Sequence, residues 1–273
     1  MTTIACWFNR ESPHHSVWVY GDSKISKGTS TLLESGAKIF SVPMTCFAQG
    51  ESGFFDNPVC QTNIGLAYAG SSLVGLNLNA ALATCLSRLN YVSSLPSLND
   101  VAAFAHRLLN LYVSQLAISS GGGAACEIAL VGGCPVEGQI KIFYLYPETG
   151  DSGFSYVTES YSDQIVKDEF VLLLGADKER IARRIDEERE GQGVCWWRTP
   201  KRVIDSEVSD PLHESIGGHA QLGICTQTGF DVYSLCRPRE PGKPAAYLNY
   251  LGFDVSHDIG VIGGCHIGMP GMS

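Results

Sequence analysis

The sequence predicts an α+β protein in which two antiparallel sheets are covered by two layers of helices, a four-layer αββα sandwich. Three observations carry this reading. Strand-like runs come in groups, pairs of helices separate the groups, and no stretch reads as a strict βαβ repeat that would build a parallel sheet. With 273 residues and 44% hydrophobic content, the chain can fill an extensive core.

Residues 3–8, 16–20, 37–42 and 64–69 are apolar and rich in β-branched side chains, and Gly, Ser, Asn and Pro punctuate them, so the first quarter predicts strands. Over 72–89 and 98–118 the apolar residues recur at helical spacing, with Pro96, Ser97 and Asn99 supplying a break and caps. The SSGGGA run at 119–124 is a turn. After it CEIALVG, QIKIFYLY and FVLLLG read as short buried strands. Residues 177–190 form a charged amphipathic helix with Glu179 four positions before Arg183, and 221–226 and 231–235 return to strand character.

Charge and composition exclude several function classes. Nineteen Lys plus Arg stand against 28 Asp plus Glu, a net charge of −9, and no basic block is present to track a phosphate backbone, so nucleic acid is not an expected partner. The start MTTIACWFNRES has neither the basic nor the apolar region of a signal peptide, and no run of eighteen apolar residues follows, which predicts a cytoplasmic protein without a membrane partner. Ten scattered Cys with no CxxC pair read as reduced, mostly buried thiols. His257, Asp258, Cys265 and His266 lack metal-site spacing, so neither a metal nor another cofactor is expected. Trp196 and Trp197 read as core or interface aromatics. The Pro-rich RPREPGKP at 237–244 divides a main domain, 1–240, from a C-terminal extension, 241–273.

The chemistry begins at Thr2. A small second residue is one that cells commonly expose by removing the initiator Met, and Thr2 then carries a hydroxyl together with a free amine. A hydroxyl is a weak nucleophile until a base takes its proton, and an α-amine titrates near about 8, close to working pH. VYGDSK places the Asp22 carboxylate at a strand end, and SGAKI places Lys38 at the start of another strand, sixteen residues later. LAYAGSS places Gly70 where a strand passes into a helix.

In combination these motifs resemble the proteasome β-subunit family of N-terminal-nucleophile (Ntn) hydrolases, which includes the bacterial HslV peptidase. The resemblance covers Thr2 to about Leu89 and is faint from there to about Leu235. It implies that Thr2 Oγ attacks a carbonyl, Lys38 lowers the hydroxyl's pKa electrostatically, Asp22 orients Lys38, and the Gly70 amide stabilises the oxyanion. It further implies a peptide or unfolded-protein substrate and a homo-oligomeric ring or spiral, with any unfoldase partner left open.

The sequence departs from the family pattern in three places. It is longer between Lys38 and Gly70, which implies an inserted hairpin or loop near 43–62; this either shapes a substrate pocket or subunit contact or is a long surface loop. LGAD at 174–177 puts Ala176 where the family has a serine; either another hydroxyl replaces it, with Ser152 in GDSG the candidate, or proton transfer differs and activity is lowered or lost. SDPLHESIGG at 209–218 resembles the loop that brings a carboxylate and a hydroxyl to the Thr amine. Ser215 aligns through its glycines and Asp210 less directly, with His213 and Glu214 as alternatives. The expected function is therefore a threonine-type peptidase. A small-molecule amidase of the same fold and a catalytically silent assembly protein are the alternatives.

Overall fold

The computed structural model describes residues 2–11, 15–28, 30–120, 124–150, 153–190, 193–210, 216–239 and 245–272. Two antiparallel strands open the chain, β1 (Thr3–Asn9) and β2 (Ser16–Asp22), followed by a small hairpin of β3 (Ile25–Lys27) and β4 (Ser30–Leu33). The long hairpin of β5 (Ile39–Gln49) and β6 (Phe55–Gly70) leads into α1 (Ser72–Leu86), β7 (Leu89–Asn90) and α2 (Leu98–Ser120). Then come β8 (Cys126–Gly133), β9 (Ile140–Gly150), β10 (Gly153–Ser162), β11 (Val171–Gly175), α3 (Lys178–Glu190) and α4 (Thr199–Ser209). The chain closes with β12 (Ala220–Thr226), β13 (Gly229–Arg237), β14 (Tyr247–Tyr250), β15 (Phe253–Asp254), β16 (Val261–Ile262), β17 (Cys265–His266) and β18 (Gly271–Met272).

The first large sheet runs β11-β1-β2-β12-β13-β14-β15, antiparallel along this path, with β18 parallel to β13. The second runs β10-β9-β8-β6-β5-β7 and is antiparallel apart from the β5–β7 pair. Side-chain alternation along each strand divides the interior into three apolar clusters. On β1, Ile4, Cys6 and Phe8 join residues of the second sheet such as Ala67, Ala69, Ala129 and Ile142, while Ala5 and Trp7 turn to the other face and meet Ile181 and Ile185 of α3 and Val203 and Ile204 of α4. On β6, Leu66 and Tyr68 face α1 and α2, where Leu78, Leu82, Leu98 and Leu109 are buried. Each such leucine contributes about 1.5–3 kcal/mol by leaving water.

Helix α1 shows how a local pattern sets the layer. Val74, Leu78, Leu82 and Leu86 repeat every fourth residue along the buried face. Gly75 lies on the same face, and a Cβ there would come within 2.3 Å of the Tyr68 ring, so glycine lets the helix approach the sheet. The helix ends at Leu86, three residues short of the predicted end, because Leu89 and Asn90 pair with Cys46 and Phe47 instead. The stretch around 43–62 is the outer part of the β5–β6 hairpin, interrupted by register shifts at Cys46/Phe47 and Ala48/Gln49. Residues 247–254 add β14 and β15 to the edge of the first sheet.

Trp196 is buried against Trp197, whose carbonyl accepts the Trp7 indole N–H at 2.8 Å. Among the described cysteines Cys6, Cys46, Cys126, Cys134 and Cys225 are buried, and no disulfide joins any of them. No described helix is long and apolar enough to cross a membrane.

Helices α3 and α4 are joined by a charge cluster. The fully buried Glu207 carboxylate takes two N–H bonds of 2.7 Å from Arg180 and a further bond from Arg184. Burial raises its pKa, but the two guanidinium groups outweigh that and hold it below the ordinary glutamate value. Glu207→Ala is expected to lower unfolding stability by about 3 kcal/mol, near the low end for a broken buried pair because both arginines keep part of their surface in water. A depressed native pKa adds stability that is complete above the unfolded value of about 4.3 and disappears as pH falls through the native one. Urea unfolding of both proteins at pH 7 and below pH 4 therefore checks two things: the gap at pH 7 and its shrinkage in acid.

Candidate active site

Strand alternation places Thr2 on the face of β1 that carries Ile4, Cys6 and Phe8, toward the space between the sheets. At that end of β1 a cavity of about 250 Å³ opens, lined by Thr2 with Ala69 and Gly70 of β6, Ala125, Cys126 and Glu127, Pro147 and then Gly175 and Ala176. Gly70 is the last residue of β6 and has φ +111°; a Cβ there would meet the Ala125 carbonyl at 2.5 Å. The next amide, Ser71 N–H, donates to that same carbonyl. Glycine thus lets β6 turn into α1 directly beside Thr2.

Asp22 ends β2, is fully buried, and collects donors. Thr3 N–H binds its Oδ1 at 3.0 Å, Lys24 N–H binds Oδ2 at 3.2 Å, and Lys38 Nζ binds Oδ2 at 3.0 Å. The Gly217 amide is a further donor. Burial raises the Asp22 pKa, opposed by the Lys38 charge and these N–H groups. Lys38 is likewise buried, and desolvation lowers its pKa against the pull of Asp22. The result is a buried lysine–carboxylate pair, joined through Asp22 to the amide of the residue after Thr2.

Gln221 of β12 locks this pair in place. Its Oε1 accepts the Lys38 N–H at 3.0 Å and the Ile39 N–H at 3.4 Å, while its Nε2 donates to the Asp22 carbonyl at 2.9 Å and the Gly36 carbonyl at 3.2 Å. With both ends of the amide in use, the segments carrying Asp22 and Lys38 share one buried side chain. The only sequence signal for it is a polar residue at the head of an otherwise apolar strand, AQLGICT.

The Thr2 main chain is held by β11. Ala176 N–H donates to the Thr2 carbonyl at 3.0 Å, and Gly175, with φ +94°, lies so close that a Cβ would fall 1.8 Å from that oxygen. Ala176 lines the cavity with a methyl group where the family pattern has a hydroxyl.

Thr2 and Gly70 therefore share the cavity, and Asp22 and Lys38 are bonded to each other and to the strand of Thr2. Asp210 caps the C-terminus of α4, half-exposed, and does not line the cavity. Ser152, His213, Glu214, Ser215 and Met1 lie outside the described residues. The glycines after Ser215 do reach the site's support: Gly217 accepts the Lys24 N–H at 3.1 Å, and Ser23 Oγ accepts the His219 N–H at 2.7 Å. Among the described residues no group of three or more His, Cys, Asp or Glu gathers as a metal site.

An α+β chain with two large antiparallel sheets and four α-helices among its described residues is similar in fold to Anbu. One solved structure that shows this is the Anbu (Gly-1) mutant from Hyphomicrobium sp. strain MC1, which is 15% identical, with 85% of this chain and 84% of that chain covered and a TM-score of 0.53. Anbu (ancestral beta-subunit) from Yersinia bercovieri is 16% identical over 83% of this chain and 82% of that one, with a TM-score of 0.49. No protein-family model and no curated protein sequence matches the chain.

Proposed function

We propose that this protein is an N-terminal threonine hydrolase that cleaves peptide amide bonds, working as a self-compartmentalised homo-oligomer in the cytoplasm on the four-layer αββα framework of the Ntn hydrolases. The observation that carries the reading is the convergence of Thr2 and Gly70 on one cavity, with the buried Asp22–Lys38 pair bonded to the Thr3 amide. Once Met1 is removed, the Thr2 α-amine takes the proton of its own hydroxyl as Oγ attacks the scissile carbonyl. Lys38 stabilises the developing alkoxide, and the Gly70 amide the tetrahedral oxyanion. The amine product leaves with the proton, and water then hydrolyses the threonyl ester.

The cavity, at about 250 Å³ and walled mostly by Ala, Gly and Pro, also favours a second reading, an amidase acting on a small molecule. Fluorogenic peptides and simple acyl-amides assayed side by side separate the two. The shared chemistry is tested by intact mass before and after treatment with a peptide epoxyketone. Loss of Met1 and one adduct per chain, absent from Thr2→Ala, is the expected result. A wild-type protein that forms no adduct, or a Thr2→Ala variant that still forms one, would overturn the reading.

A further inference from the structure

The two halves of the cavity come from different sheets. Thr2 is carried by β1 and held by β11 in the first sheet; Gly70 ends β6 in the second. Catalysis at such a site needs the hydroxyl and the oxyanion donor fixed relative to each other, so something must tie the sheets together at that point.

Glu127 lies where that tie is needed. On β8, Cys126, Ile128 and Leu130 face the helices, whereas Glu127, Ala129 and Val131 are on the opposite side of the strand, that of the space between the sheets. Glu127 is directly opposite Ala69, and Cys126 opposite Gly70, so its backbone belongs to the ladder that sets the end of β6. Its side chain crosses to the other sheet. Oε2 accepts the Gly175 N–H at 2.9 Å, and the next amide, Ala176 N–H, holds the Thr2 carbonyl. Oε1 accepts Lys178 Nζ of α3 at 2.7 Å, and the same ammonium donates to the Tyr144 hydroxyl of β9 at 2.8 Å, so the carboxylate is linked to the second sheet through this lysine as well as bonded to the first. Among the described residues a carboxylate is the one charged group on this cavity wall, and a merely apolar wall would not require it.

We propose that Glu127 is a positioning residue that sets the separation between the Thr2 nucleophile and the Gly70 oxyanion donor, with Lys178 fixing its orientation. The proposal rests on the threonine-hydrolase reading for its effect on rate, while the clamp itself can be read without any chemistry. Removing the carboxylate frees the Gly175 amide and lets the end of β11 drift from β8. A displacement of about 1 Å at a reacting group lowers rate by about 100-fold.

Two measurements test it. In hydrogen exchange the Gly175 and Ala176 amides of Glu127→Ala are expected to lose at least about tenfold of their protection, with the rest of the first sheet unchanged; wild-type protection at both amides overturns the clamp whether or not the protein is an enzyme. In epoxyketone labelling, Glu127→Ala is expected to slow the bond-forming rate at saturating reagent by about 100-fold with half-saturation altered less than threefold. Glu127→Gln keeps an oxygen for the Gly175 N–H and should recover to within about tenfold of wild type, and Lys178→Met should fall between them. Equal losses in Glu127→Gln and Glu127→Ala, or a change confined to half-saturation, would place Glu127 in reagent contact and overturn the positioning role. A wild-type protein that takes no label counts against the hydrolase reading alone, and the exchange result still decides the clamp.

Discussion

Lys38→Ala is expected to reduce turnover by about 10³-fold and to destabilise the fold by about 3–5 kcal/mol, the magnitudes found for losing a charged group that assists proton transfer and for breaking a buried ion pair. Both effects arise at one contact. Lys38 and Asp22 are buried and joined at 3.0 Å, and three amides also aim at Asp22. Without the ammonium, the carboxylate stays desolvated and must take up a proton, which weakens its hold on the Thr3 amide and so on the strand of Thr2. The double variant Asp22→Asn with Lys38→Met separates the two effects. A neutral pair of similar size should restore most of the stability, because well-packed neutral replacements of buried ion pairs are often near neutral, yet leave the threonine without its electrostatic partner. Denaturant unfolding alongside the rate of epoxyketone labelling reads both quantities. A double variant that regained labelling as well as stability would show that Lys38 serves only the fold.

How far the sequence carried the structure depended on the distance over which each residue finds its reason. The strands β1, β2, β8 and β11 and the helices α1, α2 and α3 are written in local periodicity, and the structure has them within a few residues of the expected bounds, whereas β6, expected over 64–69, begins nine residues earlier at Phe55. Helix α4 is not so written. Its buried face includes Glu207, a charge that spoils the apolar pattern and becomes acceptable only because Arg180 and Arg184 reach it from α3. Strand β10 is not locally legible either, since its exposed positions at the sheet edge blur the alternation. The site divides in the same way. Thr2, Asp22, Lys38 and Gly70 sit in short motifs whose order can be read from the chain. Gln221, by contrast, acts on an amide 183 positions earlier and Glu127 on one 48 positions later. Their only local trace is a polar residue inside an apolar strand, which marks an unusual position without naming its partner.

Gly175→Ala carries the other large effect, and it isolates the role of β11. Two costs are combined at this position: a φ of +94°, unfavourable for any residue with a Cβ, and a collision at 1.8 Å with the Thr2 carbonyl, which is backbone and cannot rotate away. Gly138→Ala supplies the comparison, because φ is +65° there and nothing lies within 4 Å of the added methyl. The control should lose about 1 kcal/mol of stability from conformation alone and react normally. In Gly175→Ala either β11 or the start of β1 must move, breaking the Ala176–Thr2 bond. A shift of about 1 Å in the nucleophile lowers labelling by about 100-fold even where the remaining sheet keeps its register. Labelling at the wild-type rate in a folded Gly175→Ala protein would mean that Thr2 is placed by Asp22 and the Thr3 amide without help from β11. The expected loss would instead assign the nucleophile two anchors, one at its carbonyl and one at the following amide. That arrangement would explain why a glycine with positive φ stands next to the proposed nucleophile.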